Sequence, residues 1–300
     1  MEKIRPLKLS KEMKVLDLVH QMSNAGFGAR KIGIANQIAN QMFSHEGCNV
    51  FLGLAGAMVP AGMKSIIIDL IKSDKVDVLV TTGANLTHDL IEALKHSHYH
   101  CDSWDDEDFN KKGYDRMYNV LMKNKVYEDL EAFFEKNWEK LTAAKNIKTL
   151  LELVGSLLPN DSGSILRTCY DKKVPVYCPA LADSGIGLII WGRLMSGKNI
   201  QIDAFDDMKD LIDFAWTSKV KGVIYVGGGT PKNFIQQSLQ FSSGANYGIQ
   251  ITTDSVESGG SSGAPLEEGK SWGKLKSNAK HVDVRCDATI ALPLIFSEFL

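Results

Sequence analysis

The residues with the clearest capacity for chemistry are a lysine beside a tryptophan, in Ser271-Trp272-Gly273-Lys274, and a set of glycine-bearing turns. A lysine amine is nucleophilic only when uncharged, which requires holding it below its usual pKa of about 10.4. Burial or a nearby cation does this; Trp272 offers an apolar wall, and a cationic substrate can stack on its indole face. The commoner state of a lysine, on local sequence alone, is a solvated surface charge. Four glycine-bearing turns, Gly53–Gly56, Thr81–Asn85, Gly227–Gly229 and Ser258–Gly263, follow or flank segments that read as strands. Glycine there lets backbone N–H groups approach a phosphate or ring, and helix starts add a favourable partial charge. Neither GxGxxG nor GxxxxGK[ST] occurs, so the turns predict a nucleotide-sized site without either familiar fingerprint.

Other single residues carry weaker signals. His88 follows the Thr81–Asn85 turn and reads either as a site residue or as a structural histidine. Asp183, Asp254 and Asp287 lie just past strand ends, where a carboxylate either caps the next element or holds ribose hydroxyls. His96, His98 and His100 alternate without a carboxylate pattern, and no metal site is expected. Asp105-Asp106-Glu107-Asp108 reads as a solvated acidic face. The run Glu257-Ser258-Gly259-Gly260-Ser261-Ser262-Gly263-Ala264-Pro265 is either a flexible connection or a loop that folds over a ligand.

The elements that must position these residues follow from hydrophobic periodicity. Helices are expected over Lys11–Met22, Ala29–His45, Met63–Ser73 and Leu86–Lys95, with strands at Asn49–Leu54 and Val76–Thr82. The middle of the chain predicts amphipathic helices at Tyr127–Leu141 and Ile147–Leu158, read as a helical addition. Strands are then expected at Val174–Cys178, Ile200–Ala204, Gly222–Val226, Tyr247–Thr252 and Val282–Cys286, with a glycine turn through Ser184–Gly187. Helices Met208–Thr217, Pro231–Gln240 and one from about Ala288 complete the alternation. Strand–helix alternation of this kind predicts an α/β fold: a single Rossmann-like domain over residues 1–300, with a mostly parallel sheet flanked by helices and N-terminal and mid-chain helical additions.

Composition narrows the class. The chain has 300 residues, 44% of them hydrophobic, and a formal net charge of −2, which gives no electrostatic reason to expect nucleic acid. No apolar stretch is long enough to span a bilayer, and Met1-Glu2-Lys3-Ile4-Arg5-Pro6 lacks the apolar region of a secretory signal. A cytoplasmic protein is the expectation. The five cysteines are scattered and form no CxxC pair, which predicts reduced, mostly buried thiols.

Six segments, taken in order, resemble the deoxyhypusine synthase family. They are Phe51-Leu52-Gly53, Val76-Asp77-Val78-Leu79-Val80-Thr81-Thr82, Pro179-Ala180-Leu181-Ala182-Asp183, Gly227-Gly228-Gly229-Thr230-Pro231-Lys232, Ser271-Trp272-Gly273-Lys274 and Asp287-Ala288-Thr289. The resemblance implies an NAD-dependent transferase that moves an aminobutyl group from a polyamine such as spermidine to an acceptor amine through a lysine imine. It implies Lys274 as the nucleophile, with Trp272, Glu268, His88, Asn233, Gly259 and Ser261 toward the substrate. Thr82, Gly83, Asp183, Gly228, Thr253, Asp254, Asp287 and Ala288 match the family's dinucleotide contacts. A homotetramer with sites at dimer interfaces, and a hypusine-bearing translation factor as acceptor, are further implications.

The chain departs from the family pattern on the polyamine side. Asn233-Phe234 replace a histidine pair, Thr87-His88 a pair of glutamates, and Leu188 an aspartate. Ser258 and Ser261 stand in a loop that is acidic in the family. Removing one partner of a buried carboxylate–ammonium pair costs about 2–5 kcal/mol, so several such replacements predict a changed donor, acceptor or both. Alternatives are a homospermidine-type synthase, a transferase using another amine or guanidine such as agmatine, and a non-catalytic NAD-binding paralogue.

Overall fold

A computed structural model describes residues 3–102 and 104–299. Two helices, α1 (Val15–Met22) and α2 (Phe27–Ser44), lead into β1 (Cys48–Leu54), α3 (Lys64–Lys72), β2 (Val78–Thr81) and α4 (Gly83–Ala93). A small excursion follows: β3 (Tyr99–His100), α5 (Asp106–Lys111), β4 (Tyr114–Met117) and β5 (Val120–Lys123). Helices α6 (Val126–Leu141), α7 (Ile147–Leu157) and α8 (Ile165–Lys172) return the chain to β6 (Val176–Tyr177). Then come α9 (Gly185–Met195), α10 (Ala204–Thr217), β7 (Val220–Val226), α11 (Gly229–Gln240) and β8 (Ala245–Thr252). The short α12 (Glu268–Ser271), β9 (Leu275–Arg285) and α13 (Ala288–Phe296) end the described chain.

Six strands pair in parallel in the order β6-β2-β1-β7-β8-β9. Counted by their succession along the chain, that order is 3-2-1-4-5-6, the doubly wound order of dinucleotide-binding sheets. The winding reverses between β1 and β7, where Cys48–Leu54 runs in register with Val220–Val226. Successive side chains point to opposite faces, and the core divides accordingly. Leu52, Leu54, Leu79, Ile224 and Ile249 pack with residues of α2, α3 and α13 on one face. Phe51, Val78, Val80, Val223 and Tyr225 pack with α10 and α11 on the other. Burial on both faces explains why these strands are almost continuously apolar.

The mixed α/β architecture is as the alternation predicts, with five differences. Ile200–Ala204 is not a strand: Asp203 makes one isolated bridge to Asn146 and caps α10 by accepting from Phe205 and Asp206. Its short apolar pattern fits a strand, but the capping aspartate begins a helix earlier than expected. The glycine turn at Ser184–Gly187 is the start of α9, capped by the Ser184 hydroxyl, and α8 is a helix that the periodicity does not mark. The mid-chain addition carries a three-stranded antiparallel sheet, β3-β5-β4, beside its helices. Finally, β9 begins at Leu275, seven residues before the expected start at Val282, because its first part is irregularly paired between Ala245 and Tyr247. Among the described residues no helix is long and apolar enough to cross a membrane.

Candidate active site

Lys274 sits in the turn between α12 and β9, where Gly273 has a φ of +69° that favours glycine. Its backbone is fixed at both ends: Lys274 N–H donates to the Gly269 carbonyl at 2.8 Å, and its carbonyl accepts from Ala245 N–H at 3.1 Å. The ammonium lies 5.0 Å from the centroid of the Trp272 ring. Burial lowers the Lys274 pKa from its ordinary 10.5, while the Glu268 carboxylate works against that. Lys274 therefore has the partly apolar, partly shielded setting that a nucleophilic lysine needs.

A cavity of about 280 Å³ opens beside it, bounded by α11, α12 and the Gly/Ser loop, and Trp272, Glu268, Asn233, Gly259 and Ser261 all line it. The structure thus brings together every expected substrate-side residue except one. His88 lies on α4, which follows β2, while Lys274 precedes β9. Those strands are four positions apart in the sheet, roughly 19 Å at a spacing of about 4.8 Å.

His88 belongs to a buried relay of its own. Its Nδ1 is 3.1 Å from His98 Nε2, His98 Nδ1 is 2.8 Å from Glu92, and Glu92 pairs with Lys64. Burial and the neighbouring His98 press the His88 pKa down to about 4, against the pull of Glu92. The ring is neutral at physiological pH. Two of the alternating histidines meet carboxylates, each a different one: His96 pairs with Asp129 and His98 with Glu92.

The Gly/Ser loop is clamped. Lys232, buried in the first turn of α11, donates through Nζ to the carbonyls of Ser261 at 2.6 Å and Ala264 at 2.7 Å. Gln250 on β8 donates to the carbonyls of Ser262 and Ala264, and Arg285 on β9 to that of Gly263. Asp283 accepts from Leu266 N–H at 3.0 Å, closing the loop's far end. Burial brings Lys232 down to about 8, with Asp283 and Glu268 opposing. The second half of this loop is held in place: the carbonyls of Ser261, Ser262, Gly263 and Ala264 are met one after another by side chains on α11, β8 and β9.

The positions matched to dinucleotide contacts gather at the carboxyl edge of the sheet, after β2 (Thr82, Gly83), β6 (Asp183), β7 (Gly228), β8 (Thr253, Asp254) and β9 (Asp287, Ala288). Several already have structural roles. Thr82 caps α4 by accepting from Asn85 N–H, and Asp287 caps α13 by accepting from Thr289 N–H. A Cβ at Gly83 would lie 2.5 Å from the Ser184 side chain, and one at Gly228 would lie 2.3 Å from Ser262 Cα. Those two glycines admit another stretch of this chain. Asp183, Thr253 and Asp254 are exposed. Free carboxylates and a hydroxyl at this edge suit ribose hydroxyls, while at the α11 start, where Gly228 has no capping side chain, the Ser262 hydroxyl accepts from Gly229 N–H at 2.9 Å.

The Lys274 cavity reaches the Gly/Ser loop that meets Gly228, but the Lys274 backbone stands apart from the residues after β8. Lys274 bonds to Ala245 at the amino end of β8, and Thr253 follows its carboxyl end; eight residues at about 3.3 Å separate them by roughly 26 Å. Sequence reasoning missed Gln236, Gln237 and Gln240, which line the cavity with Asn233. Their signal was present: positions 233, 236, 237 and 240 fall on one helical face.

The strand order defines a doubly wound α/β protein with a six-stranded parallel sheet. The family model for deoxyhypusine synthase matches residues 17–299. A probable deoxyhypusine synthase of Methanosarcina thermophila is 42% identical over 297 residues, covering 98% of this chain and 93% of that protein. Probable deoxyhypusine synthase 1 of Archaeoglobus fulgidus is 40% identical over 294 residues, covering 98% and 96%. The chain belongs to the deoxyhypusine synthase family, which places it among transferase enzymes. A crystal structure of an Entamoeba histolytica protein, described as a candidate deoxyhypusine synthase, shares the fold with a TM-score of 0.70 at 20% identity, covering 98% of this chain and 96% of that one.

Proposed function

We propose that this chain is an NAD-dependent aminobutyl transferase in which Lys274 carries the transferred group as an imine. The observation that carries the reading is Lys274 itself: its pKa is lowered by burial, it sits 5.0 Å from the Trp272 ring centroid, and it faces a cavity with Glu268 on its rim. Asp183, Thr253 and Asp254 would hold ribose hydroxyls, and Gly228 with Asp287 and Ala288 would border the remainder of NAD. Bound NAD would supply removal and return of hydride, so the reaction has no net oxidation.

The chain's own residues divide the remaining work. Glu268 orients the cationic end of the donor, and Trp272 covers its methylene stem. The neutral Lys274 amine adds to the electrophilic carbon of the dehydrogenated donor. The bond from that carbon to the leaving nitrogen then breaks, and the amine departs carrying a proton. Lys274 holds the aminobutyl group until an acceptor amine displaces it. A polyamine is the donor class in this reading, and a lysine of a hypusine-type translation factor, or a small amine, is the acceptor.

The separation of roughly 26 Å between Lys274 and the β8 edge supports a site completed by another copy of the chain, as in a homotetramer. Helix α9 supports the same reading: Leu188, Trp191 and Met195 are exposed on it, and among its residues only Ile186 is fully buried. The test is borohydride reduction after incubation with NAD and amines, read by mass spectrometry. A Lys274 adduct is expected, its mass naming the group carried; Lys274→Ala should show none. Measurable NAD binding without an adduct from any amine would reject transferase chemistry in favour of a non-catalytic NAD-binding protein.

A further inference from the structure

Strand β6 ends the sheet and pairs on one side only, with β2. Leu79 N–H donates to the Pro175 carbonyl at 3.0 Å, so Pro175 and Tyr177 address β2. Val176, between them, turns its own N–H and C=O the other way. Val176 is only 6% exposed, yet no hydrogen bond meets those two groups among the described residues. Backbone groups buried to that extent are almost always paired.

A cavity of about 840 Å³ lies where the next strand would run. Leu151 of α7 and Leu166 of α8 wall it on the Val176 face, and Phe214 of α10 on the Tyr177 face. It shares no residue with the cavity beside Lys274, which belongs to the opposite end of the sheet. Inside it, Asp210 is already satisfied, accepting from the Tyr177 hydroxyl and from Lys148 Nζ at 2.7 Å. On the rim, Asp213 of α10 and Glu152 of α7 are exposed and make no ion pair among the described residues; Lys173 is the one rim lysine in the same state.

We infer that this slot receives an extended peptide segment of a protein partner as a seventh strand, with an apolar residue opposite Val176 and a basic residue on either side. A residue directly opposite Val176 can exchange both N–H···O bonds with it, which neither a helix nor a simple amine can do. Its side chain then falls on the face walled by Leu151 and Leu166, and its neighbours fall on the α10 face with Asp213. The inference is independent of the chemistry at Lys274.

The test is fluorescence anisotropy of a dye-labelled, capped Lys-Val-Lys-Val-Lys peptide with the intact chain in its native assembly. Saturable binding is expected. N-methylation of the central valine, which deletes the N–H offered to the Val176 carbonyl, should weaken it at least about tenfold. Val176→Pro removes the outward N–H and leaves the bonds of Pro175 and Tyr177 to β2, and it should weaken binding similarly. Asp213→Lys, at an exposed position, should weaken it about threefold or more, and a Glu-Val-Glu-Val-Glu peptide should bind less tightly than the lysine peptide. Equal binding of the N-methylated peptide to the wild type overturns the inference, whether or not Val176→Pro folds. Displacement by spermidine as effective as by unlabelled peptide also overturns it, since charge alone would then suffice. Absence of peptide binding, with the Val176 amide protected from hydrogen exchange, overturns it and gives the edge to another copy of this chain. None of these results bears on trapping at Lys274.

Discussion

Replacing Lys232 by methionine keeps an unbranched side chain, one heavy atom shorter, and removes its three N–H donors. The ammonium makes two charge-assisted bonds, to Ser261 and Ala264, each worth about 1.5–3 kcal/mol. Against this, its pKa is depressed from 10.5 to about 8, which at about 1.4 kcal/mol per pH unit amounts to about 3 kcal/mol spent on burying the charge. The opposing quantities nearly cancel, so Lys232→Met should lower global stability by only about 0–3 kcal/mol. The loop is affected differently. Ala264 keeps its hydrogen bond from Gln250 at 3.1 Å, but the carbonyl of Ser261 is left without its side-chain donor. Urea unfolding should show a small change in midpoint. Hydrogen exchange should show much faster exchange at Gly229 N–H, which donates to Ser262 Oγ, and at Ala264 N–H, which donates to Gly260. Unchanged protection of those two amides in a folded variant would refute the clamp.

Two further outcomes follow from buried groups on α4. His88, whose pKa falls from 6.5 in the unfolded chain to about 4, binds its proton less readily when folded. Its contribution to stability is therefore complete above about pH 6.5 and is lost as pH falls toward 4, by up to about 3 kcal/mol. His88→Gln should flatten that part of the pH–stability curve, and an imidazole resonance of His88 that titrates near 6.5 would contradict the account. Asp89, fully buried, accepts from the Ser164 hydroxyl at 2.6 Å and from Ile165 and Leu166 N–H at 2.8 and 3.0 Å, holding the start of α8 to α4. Asp89→Ala should cost roughly 3–5 kcal/mol in chemical denaturation, and a loss under 1 kcal/mol would be inconsistent with those bonds.

The sheet was legible because its strands are apolar on both faces and its helices keep one apolar stripe; β1, β2, β7 and β8 lie within three residues of where the pattern puts them. Elements whose burial depends on distant partners were not. Helix α9 hides only Ile186 and exposes most of its apolar residues, so no amphipathic period marks it. Strand β9 is longer than its pattern because Lys276, Asn278 and Lys280 give its first half no apolar alternation. At the site, Trp272, Glu268 and Lys274 are close in sequence and their meeting could be read directly. The meeting of Lys232 with the Gly/Ser loop spans about thirty residues and depends on how α11 packs beside it, which no local pattern encodes. His88 lies outside the Lys274 cavity of its own chain, and an ordered resemblance carries no information about which copy of a chain contributes a residue to a site.

The clamped loop has a consequence for what length it can be. Gly/Ser segments ordinarily absorb insertions and deletions, since nothing counts their residues. Here the carbonyls of Ser261, Ser262, Gly263 and Ala264 are each addressed by a donor anchored elsewhere: Lys232 on α11, Gln250 on β8 and Arg285 on β9. Adding or removing one residue offers each donor the wrong carbonyl, much as a slipped strand presents the wrong face. A composition that reads as slack is thus metered residue by residue, and the loop's length is as constrained as the register of the sheet beneath it.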